Sequence, residues 1–329
     1  QLLEEPPRRT FTIDPILPRN AVTAVLGQGG VGKSTLLASM AASIATGSTW
    51  HGHLCATGDV ITVTAEDSPE DVRRQFCSLI ASGSFDADAV QQIANRVHVV
   101  SLRGMDARFV ETRLGGTKVT PLPALLADWI NERCPAPRLV IVETLSRLLD
   151  ADENANSAIA SFVTSAEIIA ERTGAAVAIV HHVAKGAARA KTTDQYAGRG
   201  GGALADNSRS VITMVQADPS MTDPPVPEGV PTDILRDRKL VLVRHAKSNY
   251  AAPADDLWLV RHAGPRFARF VPGSAPERAA AMLKRLVEFV ASCREAAPRR
   301  PVTMKLLRSR CTELAIAQRD VEPVVQDAV

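Results

Sequence analysis

The stretch that most narrows the folds open to this chain is VLGQGGVGKST, residues 25–35. Gly27, Gly32, Lys33 and Ser34 satisfy G-x-x-x-x-G-K-[ST], the pattern of a phosphate-binding loop. Its flanks fit that reading. AVTAVL before it is a short apolar run suited to a buried parallel strand. STLLASMAASIATG after it carries apolar residues at helical spacing and closes on Gly47, a residue that ends helices well. Strand, glycine loop and helix together aim backbone N–H groups and a helix N-terminus at a phosphate chain. ATP and Mg²⁺ are the cofactors this implies. Gly27, Gln28, Gly29, Gly30, Val31, Gly32, Lys33, Ser34 and Thr35 form the expected nucleotide cradle. Within it Lys33 reaches the β- and γ-phosphates, and Ser34 holds the metal.

With 329 residues and 45% hydrophobic content, the chain can bury one large core, or one core plus a small appendage. Formal net charge is +2, which gives no global pull toward nucleic acid. The charge is uneven, however. Residues 261–310 hold twelve Lys and Arg against three Glu, a local excess of nine. Five cysteines, Cys55, Cys77, Cys134, Cys293 and Cys311, are scattered without C-x-x-C spacing. That argues against a disulfide framework or a zinc site and fits a reducing cytoplasm. No apolar run reaches membrane-spanning length, so no membrane association is expected.

Beyond the loop, strands and helices alternate. DVITVTAED reads as a second buried strand ending in two acids. SPEDVRRQFCSLIA begins a helix with Ser68 as N-cap, Pro69 at the first helical position and Asp71 three residues past the cap. RVHVVSL is a third strand, PLPALLADWINERC a helix, and RLVIVETLSRL a fourth strand with Glu143 at its end. NSAIASFVTSAEIIAERTG is an amphipathic helix closed by Gly174, followed by the strand AAVAIVHH. This alternation predicts an α/β fold with a mostly parallel central sheet covered by helices on both faces. Residues 183–202 then break the pattern with a long loop of small, polar and glycine residues. A short helix at ALADNSR and strands near SVITMV, KLVLVRH and DLWLVRH follow. Past Pro272 the character turns helical and basic. The expected domains are therefore an ATPase core over 1–273 and a small basic C-terminal domain over 274–329, helical or winged-helix-like.

Splitting a γ-phosphate needs a cradle, Mg²⁺, a group that orients water and positive charge for the transition state. Glu66 lies at a strand C-terminus, the edge where open α/β sheets bind ligands, and suits the water-orienting role. Glu143 follows four apolar strand residues, the place of the Walker B acid beside the metal. His181 and His182 end the fifth strand on the same edge, and one of them is placed to sense the γ-phosphate. Adjacent strand residues face opposite ways, so only one can face the nucleotide. In the loop that follows, Lys185, Arg189, Lys191 and Arg199 stand among small residues with one aromatic, Tyr196. Such a segment suits contact with the phosphates of single-stranded DNA, without base reading.

Taken together, these residues resemble the RepA-type hexameric replicative helicases of broad-host-range plasmids and related mobile elements. Those belong to the RecA-like P-loop group that includes the bacterial replicative helicase DnaB. The similarity runs from about Ile16 to Phe270 and rests on the P-loop, TAED, VETLSRLLDADENAN, IVHHVAKGAA, DQYAGRGGGALADNSR and AKSNYAAP, in that order. It implies a RecA-like core, a homo-hexamer acting on single-stranded DNA, and a primase or origin-binding initiator as partner. It implies Glu66 as catalytic base and a γ-phosphate sensor within the histidine pair. Arg209 becomes a finger reaching the neighbouring subunit's nucleotide, with Lys247 near the same interface and Tyr250 among the nucleotide contacts. One departure stands out: the family has Asp at the Walker B position, where this chain has Glu143. The basic tail from Ser274 lies outside the resemblance.

The P-loop also resembles that of partition ATPases. Their signature lysine is replaced here by Gln28, and the second strand ends in AED rather than an aspartate-proline pattern. Two other readings stay open: a filament-forming strand-exchange or repair ATPase, and a non-motor regulatory ATPase.

Overall fold

The sheet that carries the P-loop has nine strands, six of them parallel. A computed structural model describes residues 8–82, 85–113, 116–153, 155–182, 201–262, 264–270 and 290–291. Its elements open with β1 (Phe11–Ile13) and β2 (Leu17–Pro18), an antiparallel pair, then β3 (Ala21–Gly27) and α1 (Lys33–Thr46). Next come β4 (Asp59–Thr64), α2 (Pro69–Ala81), α3 (Ala87–Arg96) and β5 (Val97–Ser101). β6 (Val110–Arg113), β7 (Gly116–Val119), α4 (Leu122–Arg133), β8 (Pro137–Glu143), α5 (Leu145–Leu148) and β9 (Leu149–Asp150) follow. The remainder is α6 (Asn156–Thr173), β10 (Ala176–His182), α7 (Gly201–Asn207), β11 (Ser210–Gln216), α8 (Thr232–Arg236), β12 (Leu240–Ser248), β13 (Leu257–Arg261) and β14 (Phe267–Phe270).

The large sheet runs β14-β13-β12-β11-β3-β10-β8-β4-β5. From β11 to β5 every pairing is parallel, whereas β12, β13 and β14 are added antiparallel. All seven residues of β3 are buried, as a strand covered on both faces requires. One core, around Leu36, Met40, Ile44, Val72 and Phe76, packs α1 and α2 on one face. The other, around Leu126, Ile130, Ile159, Phe162 and Ile169, packs α4 and α6 on the opposite face. A small sheet, β7-β6-β9, stands apart from the large one.

Local signals explain the best-defined helices. Ser68 caps α2 and forms a reciprocal capping box with Asp71, with Pro69 at the first helical position. Gly47 and Gly174 end α1 and α6 in the left-handed region, at φ 71° and 67°. In α6 the buried residues Ala158, Ile159, Phe162, Val163, Ala166, Ile169 and Ala170 form one stripe.

Some expectations need correction. The fourth strand stops at Glu143, and the following Leu145–Leu148 is a helical turn rather than more strand. The short helix expected at ALADNSR spans Gly201–Asn207, leaving Ser208 and Arg209 outside it. Sequence reasoning missed α3, the β6–β7 hairpin and β14.

The chain divides into two compact units, Gln1–Pro225 with Asp237–Phe270, and Val226–Arg236 with Val271–Val329. In the second unit the described residues are 226–236 and 290–291. The expected boundary near Ser274, the 274–329 domain and the loop cations Lys185, Arg189, Lys191 and Arg199 lie outside the described residues.

Candidate active site

Parallel register lines up four strand ends on one edge of the sheet. Gly27 of β3 pairs with His182 of β10, and Glu143 of β8 pairs with Thr64 of β4. Past these ends the P-loop turns through Gly30 and Gly32 at φ 74° and 104°, a region closed to most side chains. A cavity of about 400 Å³ opens there, lined among others by Gly30, Gly32, Lys33, Ser34, Thr35 and His182. Glu66, Asp67, Glu143 and Thr144 form its acidic wall.

Lys33 starts α1 and is buried, 6% exposed. Its Nζ donates to the carbonyls of Gly27 at 2.8 Å and Gln28 at 3.1 Å, folding the lysine back along its own loop. It also lies 3.3 Å from Nδ1 of His182. An ammonium only donates, so Nδ1 accepts and the ring proton sits on Nε2. Burial pushes the lysine down to about 8, against the pull of Glu143 and Glu66.

Ser34 Oγ donates to Glu143 Oε1. The longer glutamate therefore spans the gap to the first turn of α1 by itself. Burial holds the Glu143 carboxyl above the usual range; the Ser34 hydrogen bond works against this, and the nearby Asp67 and Glu66 add to it. Asp67 is raised too, by burial first and then by Glu66. For both acids burial is the larger cause, and the neighbouring carboxylates add to it. With a hydroxyl and a carboxylate oxygen converging at Ser34 and Glu143, the donors are the hard oxygens Mg²⁺ takes, usually one or two from protein. These residues fit that ion.

Glu66 is presented by the turn after β4. Thr64 Oγ1 accepts from the backbone N–H of Glu66 at 3.2 Å and of Asp67 at 3.0 Å, and Ser101 Oγ donates to the Asp67 carbonyl at 3.0 Å. The Glu66 side chain accepts from Thr144 Oγ1 at 2.8 Å, and Arg147 Nε lies 3.9 Å away. Sequence reasoning missed Thr144, whose signal was its place directly after Glu143 at the end of β8. It also missed Arg261 and Gly264, which line the cavity from β13 and the turn behind it.

Of the histidine pair, His182 lines the cavity, while His181 is 1% exposed and is not part of its wall. The strand alternation made that choice.

Three expected residues sit elsewhere. Arg209 is exposed just before β11, and its N–H bonds the carbonyl of Val22 at the start of β3. Lys247 Nζ donates to the carbonyls of Ala205 and Asp206 at 2.6 and 3.1 Å, at the end of α7. Tyr250 follows Asn249, whose N–H bonds the Arg209 carbonyl, and its ring lies under Arg9 at 3.7 Å. Val22 is five residues before Gly27, so at strand rise this cluster lies about 16 Å along the sheet from the chain's own P-loop. Tyr250 thus lies with Arg209 and Lys247, a sheet's length from its own chain's P-loop.

A family model described as an AAA domain matches residues 1–188. Among solved structures, one described as an ATPase domain superposes with a TM-score of 0.53 at 10% identity, over 77% of this chain and 85% of that one. A DnaB-like replicative helicase, described with its interactions with primase, gives 0.56 at 11% identity, over 82% of this chain and 66% of that one. At such identities the likeness is one of fold: the core has the RecA-like P-loop fold that these structures share.

Proposed function

The chain belongs to the AAA domain family, and from that premise we propose an ATP-hydrolysing ring helicase or translocase that moves on single-stranded DNA in the replication of a plasmid or mobile element. One observation carries the reading. Cradle, acids and sensor histidine share one edge of the sheet, while the exposed Arg209 stands at the other. A subunit built so holds a nucleotide on one side and offers a cation to a nucleotide on the other. Stacked head to tail, each finger meets the next cradle, and closure of such contacts makes a ring. A hexamer is the size the resemblance supports.

In this scheme the P-loop amides and Lys33 bind the triphosphate, and Ser34 with Glu143 holds Mg²⁺, which screens the phosphate charge when bound. Glu66, steadied by Thr144, orients the attacking water and takes its proton. His182 reports the γ-phosphate to β10, whose C-terminal continuation carries Lys185, Arg189, Lys191 and Arg199 toward DNA. The basic 274–329 segment adds a second DNA-attracting surface. A primase or an origin-binding initiator is the expected protein partner, and the cytoplasm the expected compartment. No helix among the described residues is long and apolar enough to cross a membrane.

A second reading, a non-motor regulatory ATPase, is favoured by the Ser34–Glu143 contact, in which the longer acid occupies the approach to the metal position. ATP turnover measured with and without single-stranded DNA separates the two. A motor gives turnover that DNA stimulates severalfold; a binding switch gives little in either state. Electron microscopy with an ATP analogue and DNA distinguishes closed rings from the filaments of a repair ATPase.

A further inference from the structure

The outer wall of the cavity is built from the far end of the sheet. β13 and β14 form an antiparallel hairpin three strands removed from β3, with Arg261 paired opposite Phe267. The Arg261 guanidinium reaches back to the P-loop and donates from Nη2 to the carbonyl of Gly30 at 2.9 Å. Its Cζ lies 5.8 Å from the centroid of the buried Phe267 ring. The same two side chains close over Gly32: a Cβ placed there would meet Phe267 Cζ at 2.7 Å and Arg261 Nη2 at 3.0 Å. Two more arginines of this hairpin also grip backbone carbonyls. Arg266 donates to Ser82 at 3.4 Å, just past α2, and Arg269 donates to His51 at 2.9 Å. The hairpin is thus fastened at three separate segments, and one fastening is the glycine turn that must hold the phosphates.

We propose that Arg261 is a positioning residue of the nucleotide site, which holds the Gly30–Gly32 turn in its phosphate-binding shape by gripping the Gly30 carbonyl from its seat on Phe267. The charge pattern is consistent with that role. Among the side chains lining the cavity, Arg261 and Lys33 are the cations facing Glu66, Asp67 and Glu143. A Gly30 carbonyl held by Arg261 fixes the peptide planes of the turn, whose N–H groups are what an anion uses. The loop wraps the phosphates that ADP and ATP share. Arg261 therefore sets affinity for both nucleotides and leaves the chemical step alone, the pattern expected of binding shared by ground and transition states.

This inference rests on the proposed ATP site, so its test carries its own control. The full chain is compared with Arg261→Ala, Arg261→Lys and Lys33→Ala by titration with N-methylanthraniloyl-ADP, by steady-state ATP hydrolysis and by thermal unfolding without nucleotide. A hydrogen bond from a charged group predicts that Arg261→Ala weakens ADP binding and raises KM for ATP by about ten- to a hundredfold. kcat should change little, the unfolding temperature should hold, and Arg261→Lys should recover part of the loss. Wild-type affinity and KM in Arg261→Ala, with binding abolished in Lys33→Ala, overturns the positioning role alone. Lost affinity together with a lowered unfolding temperature and no recovery in Arg261→Lys overturns it in favour of a purely structural part. Normal ADP binding in both Arg261→Ala and Lys33→Ala removes the ATP site itself.

Discussion

Glu66 is the residue whose role depends most on its surroundings. It is a half-exposed carboxylate that gains direction from one hydrogen bond, from Thr144 at 2.8 Å. Glu66→Gln keeps the shape and loses the base, so ATP should bind normally and turn over about 10²–10⁴-fold more slowly. Nucleotide titration beside single-turnover hydrolysis reads both quantities, and normal turnover would move the base to Asp67. Thr144→Val keeps the volume and deletes the donor. Losing a neutral donor to a charged acceptor should lower kcat by about tenfold with KM unchanged. A change confined to KM would mean that Thr144 serves binding instead. The sequence reading already put Glu66 in this role, from its place at a strand end; what the tertiary structure adds is the Thr144 contact.

Among the elements, α2 and α6 were legible to within a residue or so. α2 begins on the Ser68–Asp71 box, α6 ends on Gly174, whose backbone N–H bonds the Ala170 carbonyl, and each carries its buried stripe at helical spacing. Replacing Ser68 by Ala removes the Oγ that accepts from the Asp71 N–H, and leaves the bond from the backbone N–H of residue 68 to the Asp71 carboxylate. The expected cost is about 1 kcal/mol, read as a shift of the urea midpoint without a change in slope. An unchanged midpoint would mean that α2 is held by packing alone. α3 was missed although Asp86 caps it and its apolar residues share one face: it is short, and Ile93 is its one buried residue, so little apolar sequence marks it. β14 is four residues of sheet edge reading Phe-Ala-Arg-Phe, too short for a pattern to rise above its turn. The segment after Glu143 was read as more strand because a single helical turn has no period of its own.

At the scale of the whole molecule, distant segments meet at His245. Its Nδ1 accepts from the N–H of Ala254 at 3.0 Å, so the proton sits on Nε2, which donates to Ser210 Oγ at 2.9 Å. Ser210 in turn donates to the carbonyl of Ile16 at 2.8 Å. Protonating Nδ1 would break the Ala254 bond inside the core. Burial, with His53 nearby, pushes this imidazole down to about 4. Because the folded value lies below the unfolded one, stability is complete above about 6.5 and drains away as pH falls toward about 4. His51, pushed to about 4 by burial and by Arg269, acts in the same direction. Urea unfolding should therefore lose on the order of 2 kcal/mol per histidine between pH 7 and pH 5. His245→Gln, less stable at pH 7, should show a shallower loss. An equal slope would place the titration elsewhere. The other molecular-scale prediction concerns assembly. Arginine fingers contribute roughly 10³–10⁵ in turnover, and Arg209 is a sheet's length from its own cradle. Arg209→Ala and Lys33→Ala subunits, each inactive alone, should regain ATPase when mixed, at interfaces where an intact finger meets an intact loop. No recovery in well-mixed assemblies would assign Arg209 a role within its own subunit.

What the sequence determined by itself is what neighbours within a few residues decide: the strand–loop–helix of the cradle, the caps of α2 and α6, the buried run of β3, and the acids and histidines at strand ends. Those features obey steric and hydrogen-bonding rules that act along the chain. Tertiary structure alone decided the rest. Pairing register chose His182 over His181 for the cavity, and sheet order brought Arg261 from the far strands onto Gly30. The length of the strands set Arg209, Lys247 and Tyr250 at the edge opposite the cradle. Each of these contacts joins segments far apart in the chain, so no local pattern encodes it. It exists only once the hydrophobic faces of all the strands and helices have been buried together.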